Sequence, residues 1–403
     1  MRLLTLLFFV LFCCSVQANS KRVYTGLEVF LGKHSAMFKG KRVALLTNQT
    51  GLDYHGRSNI DLFHKHPNIK LVKLFSPEHG IRGEYKAGKE VANSIDRKTL
   101  LPIYSLYGRF GFKPKAAHLK DVDVLFYDIQ DVGSRAYTYI WSLAECMEAC
   151  AEFNIPVVVL DRPCPFGAMT IDGPMSRHLN PPSLLTKYSI PRVYGMTVGE
   201  LARYFKRSQG IKCKLYVIPM MNYKRGMSFK QTGHKWVAPS PNIPNIQSAL
   251  SFPVTGTIGN LGELHIGIKT SAPFQLIAAP WLDAKALADW LNQSKHPGVK
   301  FSSGSFSPKV GFMRGKNINY VHFHVHNASK FRPSTLELCL LYYLHHKYPK
   351  QFKWNNAKTF DRAMGTSMVR RKIIAGRKIN TILADWQAQQ SHFKKLRQEC
   401  LIY

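Results

Sequence analysis

The chain has 403 residues, of which 45% are hydrophobic and 12% are aromatic, and its formal net charge is +32. This composition excludes an intrinsically disordered protein, and the length allows two domains with their own hydrophobic cores. The excess of positive charge favours anionic partners. Basic residues are spread along the whole chain without a nucleic-acid-binding motif, so we do not predict a nucleic-acid partner.

The first 18 residues have the pattern of a secretory signal peptide. Arg2 supplies the positive start, Leu3–Cys14 the apolar centre, and Val16–Ala18 a cleavage site of small residues. The apolar run is too short to span a bilayer comfortably, and no later stretch looks transmembrane. We therefore expect an exported protein, periplasmic or secreted, that is soluble after cleavage. Its expected anionic partners are polymers or acidic peptides of the cell envelope.

Cysteine usage fits that compartment without defining a disulfide framework. Six cysteines follow residue 18, and none forms a CxxC pair. Cys146 and Cys150 are one helical turn apart, which is poor geometry for a disulfide between them. One or two disulfides are compatible with an oxidising compartment, but buried free thiols are the favoured interpretation for most of the six.

Strongly apolar segments that end in polar turns predict the sheet. The strands are predicted at Lys41–Leu46, Ile69–Phe75, Val122–Tyr127, Pro156–Leu160 and Cys213–Pro219. A helical pattern over Tyr137–Phe153 lies between two of them. This alternation predicts an α/β fold, Rossmann-like, with a doubly wound and mostly parallel sheet. Because the carboxyl ends of parallel strands face one way, the polar turns should meet at one edge.

Carboxylates follow two of these strands. Glu78 and His79 come directly after the second strand, and Glu78 is the leading candidate for a general acid, although a surface turn is the alternative. Asp128 and Asp131 follow the third strand and are candidates for a second carboxylate, with helix capping as the alternative for Asp128. No glycine-rich dinucleotide fingerprint follows the first strand, so no cofactor is predicted.

Other polar groups allow two interpretations each. A binding face for a sugar that carries an acid group can be formed by Arg135, Tyr137 and Tyr139. Alternatively, the two tyrosines are core residues whose hydroxyl groups reach solvent. Arg162 follows Asp161, and an internal salt bridge between them is favoured. Three histidines in H-x-H spacing can bind zinc, but no carboxylate is close, so we predict a solvated strand face and no metal: His322, His324 and His326.

The sequence pattern of the second half of the chain differs from that of the first half. We predict a Rossmann-like catalytic domain over residues 21–250 and a smaller α+β domain over 251–403 that closes a cleft. Thr197–Glu200 has the spacing of a capping box. Residues 251–330 look rich in strands and loops, and further helices are predicted from Ser334, with a second capping box, and over Thr381–Leu396.

Several motifs in one order resemble a known family, the NamZ-type exo-β-N-acetylmuramidases. The matching segments cover nearly the whole chain after residue 18: Thr47–Gly51, Phe75–Gly80, Pro102–Gly108, Asp128–Gly133 with Arg135 and Tyr137–Tyr139, Leu160–Pro163, Gly195–Leu201, Ser240–Pro244, Ala279–Trp281, Phe331–Pro333 and Leu401–Tyr403. The resemblance implies a Rossmann-like domain joined to a smaller domain, with the site in the cleft. It also implies release of N-acetylmuramic acid from the non-reducing end of peptidoglycan fragments during wall turnover.

The resemblance places the family's motif glutamate on Glu78, in agreement with the strand-end argument. In this hypothesis Glu78 donates a proton to the leaving oxygen and His79 orients it. Asp128 or Asp131 is the second carboxylate, unless the N-acetyl group of the substrate acts as the nucleophile. The predicted binding residues are Asn48, Gln130, Arg135, Tyr137, Tyr139, Arg162, Asn242 and Lys269.

Two positions depart from the family pattern. Cys164 stands where the family usually has Asn, and Ile268 stands where a glycine-rich stretch usually carries Arg, with Lys269 adjacent. A lysine lacks the bidentate fork of an arginine. The alternative function is therefore a catalytically lapsed envelope protein that binds anionic peptidoglycan fragments without cutting them.

Overall fold

The computed structural model describes residues 22–83, 85–86, 88–108, 111–177 and 183–403. The predicted signal peptide lies outside these residues. The described strands are β1 Arg42–Thr47, β2 Lys70–Ser76, β3 Ser94–Ile95, β4 Pro102–Ser105, β5 Val124–Asp128, β6 Val157–Leu160, β7 Ile171–Met175, β8 Pro191–Tyr194, β9 Leu215–Ile218, β10 Leu276–Ala279, β11 Val299–Phe306 and β12 Ile318–Val325.

The largest sheet has seven strands in the order β3-β4-β2-β1-β5-β6-β9. All of its neighbouring pairs are parallel except β3 with β4. The predicted α/β class with a mostly parallel sheet is therefore confirmed. The five predicted strands are present with ends shifted by one or two residues, because their apolar side chains are buried between helices on both faces of the sheet.

Helices cover this sheet and build the second half of the chain. The longer helices are α2 Asn59–Lys65, α4 Tyr139–Glu152, α5 Val198–Ser208, α6 Ile246–Ile258, α7 Ala284–Gln293, α8 Pro333–Lys347, α9 Ala357–Met364, α10 Met368–Ile374 and α11 Ile379–Gln398, and single turns form α1 Gly26–Val29 and α3 Ala116–Leu119. A π-helical turn covers Phe30–His34, and 3-10 turns cover Ser35–Phe38, Leu184–Thr186, Phe229–Thr232 and Gly259–Leu261. Within the described residues, no helix combines the length and hydrophobicity needed to cross a membrane.

Helix α6 corrects the expectation of strands and loops from residue 251 onward. Pro253 and Gly256 disfavour a helix in isolation, yet the segment is helical and mostly buried. The Asn245 side chain caps it by accepting a hydrogen bond from the Ser248 backbone, and packing against the core outweighs the local propensity. The predicted domain boundary at residue 250 falls inside this helix.

Two predicted helix starts have different outcomes. The capping box of α5 is confirmed, since the Thr197 hydroxyl accepts from the Glu200 backbone and the Glu200 carboxylate accepts from the Thr197 backbone. The predicted capping box of α8 is wrong, because the helix starts at Pro333 without a side-chain cap. Glu337 is instead buried, with a carboxylate oxygen 3.3 Å from Nε of Arg192.

The two halves of the chain share a core and a network of polar contacts. Ile266 and Ile268, from the second half, pack against the main hydrophobic cluster of the parallel sheet. The C-terminal residue returns to the same sheet, where the Tyr403 hydroxyl donates to Asp161 at 2.8 Å. The end of the chain is thereby fixed near the carboxyl end of β6.

The remaining sheets are small. Strands β10, β12 and β11 form an antiparallel sheet, and β7 pairs with β8. The three histidines lie at the end of β12, where His324 and His326 are exposed and His322 contacts His324 at 3.2 Å. All six cysteines of the described chain are buried and free, as predicted for most of them.

Candidate active site

The parallel topology brings the predicted polar turns to one edge of the sheet. Strands β2, β1, β5 and β6 are consecutive neighbours, and their carboxyl ends lead into Glu78, Asn48, Asp128 and Arg162. Residues 30 to 80 positions apart in sequence therefore become neighbours, which is how open α/β sheets build their sites. We refer to these four strand ends and the turns that follow them as the carboxyl edge.

Glu78 is held at this edge by two hydrogen-bond donors. Its side chain is buried, with 8% of the residue exposed. Oε1 accepts from the Gly88 backbone N–H at 2.9 Å, and Oε2 accepts from the Thr138 hydroxyl at 2.8 Å. Burial, together with the charge of Glu78 and a hydrogen bond to it, raises the pKa of the neighbouring Tyr107 well above its usual range. With Tyr107 as a third contact, the carboxylate can accept one further hydrogen bond.

His79 stabilises the turn that carries Glu78. Its backbone has φ of +73°, in the left-handed region, and the side chain is buried. Nδ1 lies 2.7 Å from the Tyr85 carbonyl oxygen and donates to it. The side chain is thus directed at its own turn, and any influence on Glu78 acts through the position of that turn.

Asp128 is held by three structural contacts. The residue is completely buried, and Arg162 contacts both carboxylate oxygens, with Nε at 2.5 Å from Oδ1 and Nη2 at 2.9 Å from Oδ2. Asn59 donates a third hydrogen bond to Oδ2 at 2.8 Å. The prediction of an ion pair between Arg162 and Asp161 is therefore wrong. Asp161 accepts a hydrogen bond from the backbone N–H of Arg162 and does not contact its guanidinium.

Asp131 can accept a further hydrogen bond. Oδ2 accepts from the Gly133 backbone at 2.6 Å and from the Tyr194 hydroxyl, whereas Oδ1 is buried without a partner among the described residues. Burial raises the pKa of Asp131 to about 6, and the hydrogen bonds from Tyr194 and Gly133 oppose that rise only in part. A carboxylate with one free oxygen at this edge can act as a base or contact a ligand.

Further buried polar atoms at the edge lack partners within the described chain. They are Asn48 Nδ2, Gln49 Oε1, Ser76 Oγ, Ser134 Oγ and the Tyr137 hydroxyl. Buried polar atoms are normally hydrogen-bonded, so a group of unpartnered ones indicates a place where water or a ligand supplies the bonds. These atoms lie at or after the ends of β1, β2 and β5, and Glu78 and Asp131 lie in the turns after β2 and β5.

The predicted aromatic face is packed more tightly than a sugar platform. The rings of Tyr137 and Tyr139 meet edge to face at 4.8 Å, both residues are buried, and the Tyr139 hydroxyl donates to the Pro239 carbonyl. The core interpretation holds for Tyr139, while the Tyr137 hydroxyl remains unpartnered at the edge.

Arg135 is not placed to hold a substrate acid. It is completely buried, and its guanidinium donates to three backbone carbonyls, those of Ile190 at 2.9 Å, Pro174 at 3.1 Å and Met364. Burial, and next the positive charge of Arg192, lowers the pKa of Arg135 to about 9. This arginine joins the two halves of the chain, which corrects the expectation that it binds substrate.

The two remaining predicted binding residues lie in loops. Asn242 is half-buried and Lys269 is exposed at φ of +65°, and no side-chain contact fixes either within the described chain. Ile268 packs into the core, and Cys164 is buried beside Gly133. Both departures from the family pattern are therefore accommodated by packing. Within the described chain, no three His, Cys, Asp or Glu side chains form a group that could hold a metal ion.

Sequence reasoning missed Thr138, Tyr107, Asn59 and Tyr194. Thr138 lies between two tyrosines that were predicted, and Tyr107 belongs to the quoted segment after Leu101, so both had a positional signal. Asn59 and Tyr194 reach the edge from α2 and β8, and no local pattern connects them with Asp128 or Asp131.

The fold and this edge define an α/β protein with an enzyme-like site, in which two buried carboxylates retain free hydrogen-bonding capacity. Sequence models described as the N-terminal and C-terminal parts of exo-β-N-acetylmuramidase NamZ match residues 43–247 and 250–403. The chain therefore belongs to the NamZ family, as the sequence motifs indicated.

Individual relatives agree with this assignment. The peptidoglycan β-N-acetylmuramidase NamZ of Bacillus subtilis is 40% identical over 390 residues, which cover 96% of this chain and 92% of the relative. A crystal structure of a DUF1343 family protein from Bacteroides fragilis has a TM-score of 0.87 and 36% identity, covering 95% of this chain and 99% of that one. A second such protein from the same organism has a TM-score of 0.72 and 28% identity with the same coverage.

Proposed function

We propose that this chain is an exo-acting β-N-acetylmuramidase that releases N-acetylmuramic acid from the non-reducing end of peptidoglycan fragments. Family membership and the activity of the Bacillus subtilis relative support this function. The observation that carries it for this chain is Glu78, a buried carboxylate fixed at the carboxyl edge beside unpartnered polar atoms.

Glu78 acts as the proton donor to the leaving glycosidic oxygen. Glycoside cleavage needs such a donor, because a sugar alkoxide is a poor leaving group. The contact with Thr138 serves both protonation states, since a hydroxyl donates to a carboxylate and accepts from a carboxylic acid. The Gly88 N–H keeps the other oxygen in place during the exchange.

Asp131, rather than Asp128, is the second group. Both oxygens of Asp128 are occupied by Arg162, and its removal from that ion pair leaves a buried cation. Asp131 offers the unpartnered Oδ1. This oxygen either meets the developing positive charge on the sugar directly or polarises the N-acetyl amide of the substrate, which then attacks as the internal nucleophile.

The test is turnover of a chromogenic N-acetylmuramide and of defined muropeptides, with free N-acetylmuramic acid detected by mass spectrometry. Glu78→Gln should reduce kcat by at least about 10³-fold while the circular dichroism spectrum is unchanged. Glu152→Gln, at an exposed glutamate at the end of α4, is the matched control and should keep wild-type activity. Wild-type kcat in Glu78→Gln contradicts the assignment. Binding of intact muropeptides by the wild-type protein without release would favour the lapsed binder.

We also infer that the protein acts outside the cytoplasm on muropeptides and related saccharides. The support is the signal-like sequence of residues 1–18 and the positive charge of the chain, which suits acidic wall fragments. Cell fractionation of the full chain against a variant without residues 2–18 tests this. The full chain should be processed and exported, and retention of both forms in the cytoplasm would contradict the inference.

A further inference from the structure

The outer face of the β10-β12-β11 sheet carries two histidines that take no part in the chemistry at the carboxyl edge. On β12 the side chains of Val321, Phe323 and Val325 are buried in a hydrophobic cluster with α8. Successive residues of a strand point to opposite faces, so the residues between these three face outward. They are His322, which is half-buried, and His324, which is exposed. The strand therefore places both imidazoles on one face, two residues apart.

The two imidazoles are separated by the distance that two ligands of one metal ion require. Nδ1 of His322 lies 3.2 Å from Nε2 of His324, and the ring centroids are 4.4 Å apart. A divalent first-row metal lies about 2.0–2.1 Å from each histidine nitrogen that binds it. With such bonds, a nitrogen separation of 3.2 Å corresponds to an angle of about 100° at the metal. This angle lies between the roughly 90° of octahedral or square-planar geometry and the roughly 109° of tetrahedral geometry.

Contacts with the neighbouring strands restrict the rings. His322 lies opposite Leu276 of β10 and Ser302 of β11, and Leu276 is buried. The Ser302 hydroxyl lies 2.7 Å from Nε2 of His324 and can donate to it, which leaves that nitrogen as an acceptor. Ser302 is exposed, so its hydroxyl can turn to water when a metal ion takes its place. Because the rings are already close together, little side-chain entropy is lost when both bind one ion.

The groups around the pair decide which metals can bind. Strands β10, β11 and β12 contain no Asp or Glu, and the sequence has none between Asp289 and Glu337. Lys300 lies opposite His324, but it is exposed, so solvent and salt screen its charge. Imidazole nitrogens suit Cu²⁺, Zn²⁺ and Ni²⁺, of which Cu²⁺ is bound most tightly, whereas Ca²⁺ and Mg²⁺ need oxygen ligands. The pair therefore selects transition metals that prefer nitrogen ligands.

We propose that His322 and His324 bind one divalent transition-metal ion, of the class of Cu²⁺ and Zn²⁺, with water in the remaining coordination positions. The sequence argument predicted no metal here because no carboxylate is close, and two nitrogens at chelating distance do not need one. The proposal does not rest on the proposed function, because neither histidine belongs to the carboxyl edge.

The experiment uses the untagged full-length protein with CuCl₂ as the probe, in a weakly coordinating buffer near neutral pH, where imidazole is free to bind metal. Isothermal titration calorimetry should show one ion per chain at the tightest site. Electron paramagnetic resonance of that Cu²⁺ should show coupling to two nitrogens. His322→Gln and His324→Gln should each weaken the site at least about tenfold, because even an outer-shell partner of a ligand contributes about 10–100-fold to metal affinity. His64→Gln, at an exposed histidine in the last turn of α2, is the matched control and should keep wild-type affinity.

Three results would overturn the proposal. The first is a resonance spectrum of the wild-type protein, with less Cu²⁺ than protein, that lacks coupling to two nitrogens; this result does not depend on the folding of any variant. The second is a Cu²⁺ affinity within about twofold of wild type in either ligand variant, with circular dichroism showing the wild-type fold. The third is an equal loss of affinity in His64→Gln, which would assign the binding to the histidines of the surface in general.

Discussion

The ion pair between Asp128 and Arg162 gives the sharpest prediction on stability. Asp128 is completely buried and Arg162 nearly so, and Nε and Nη2 contact the two carboxylate oxygens at 2.5 and 2.9 Å. Removing one partner from a buried pair leaves an uncompensated charge, which costs about 3–5 kcal/mol. A globular protein has a free energy of unfolding of about 5–15 kcal/mol, so either single change should remove a large share of it.

The measurement is a double-mutant cycle with Asp128→Asn, Arg162→Met and the double variant, each unfolded in urea and followed by circular dichroism. Each single change should lower the free energy of unfolding by about 3 kcal/mol or more. The double variant should lose less than the sum of the two, with a coupling energy of at least about 2 kcal/mol, because neither charge is then left alone.

A coupling energy below about 0.5 kcal/mol would refute this reasoning, since that value belongs to solvent-exposed pairs. The cycle on Arg57 and Asp53 is the comparison within the chain, because the Arg57 side chain of that pair is 64% exposed. If the two cycles gave the same coupling energy, burial would not be the factor that sets the strength of the first pair.

Three other predictions concern the edge and the thiols. Asp131→Asn should lower kcat at least 100-fold and remove the acidic limb of the pH–rate profile. Burial raises the pKa of Asp131 to about 6, so the active carboxylate is lost as the pH falls below that value. An unchanged acidic limb would assign that limb to another group. Thr138→Val should lower kcat about tenfold with Thr138→Ser near wild type, since the serine keeps the hydroxyl that bonds Glu78; equal rates in both would contradict the contact. None of the six buried cysteines should react with a thiol reagent before the protein unfolds, because burial disfavours the reactive thiolate and raises the pKa of Cys164 to about 12. Rapid reaction of the thiols in native protein would disprove their burial.

The parallel sheet could be predicted from the sequence because its central strands are apolar on both faces. Residues such as Leu45 and Phe126 are fully buried, and the predicted strand bounds differ from those observed by one or two residues. The meeting of the turns at one edge followed from the topology rule alone. Helix α6 could not be predicted, because its Pro253 and Gly256 oppose a helix locally and only the surrounding core stabilises it.

The partners of charged side chains were beyond sequence reasoning. Arg135 was expected to hold the acid group of a sugar, and Arg162 was expected to pair with Asp161. One points into the interior and binds carbonyls, while the other crosses to the neighbouring strand and binds Asp128. The direction of a side chain after a turn depends on the backbone angles of that turn and on contacts from distant elements, which no spacing pattern contains.

Hydrogen-bond capacity separates the four carboxylates of the edge into two kinds. Asp161 accepts from two backbone N–H groups, from the Thr197 hydroxyl at 2.7 Å and from the Tyr403 hydroxyl at 2.8 Å, so both of its oxygens are filled. Asp128 is held by three donors, two of which belong to its ion pair with Arg162. Glu78 is bound by neutral donors only, and Asp131 has an oxygen without a partner among the described residues, so each can accept a further hydrogen bond. The first two carboxylates fix the turns of β5 and β6, and the other two face whatever occupies the edge. By this argument Asp161→Asn should act on stability and leave the acidic limb of the pH–rate profile in place, although burial raises the pKa of Asp161 to about 6 as it does for Asp131.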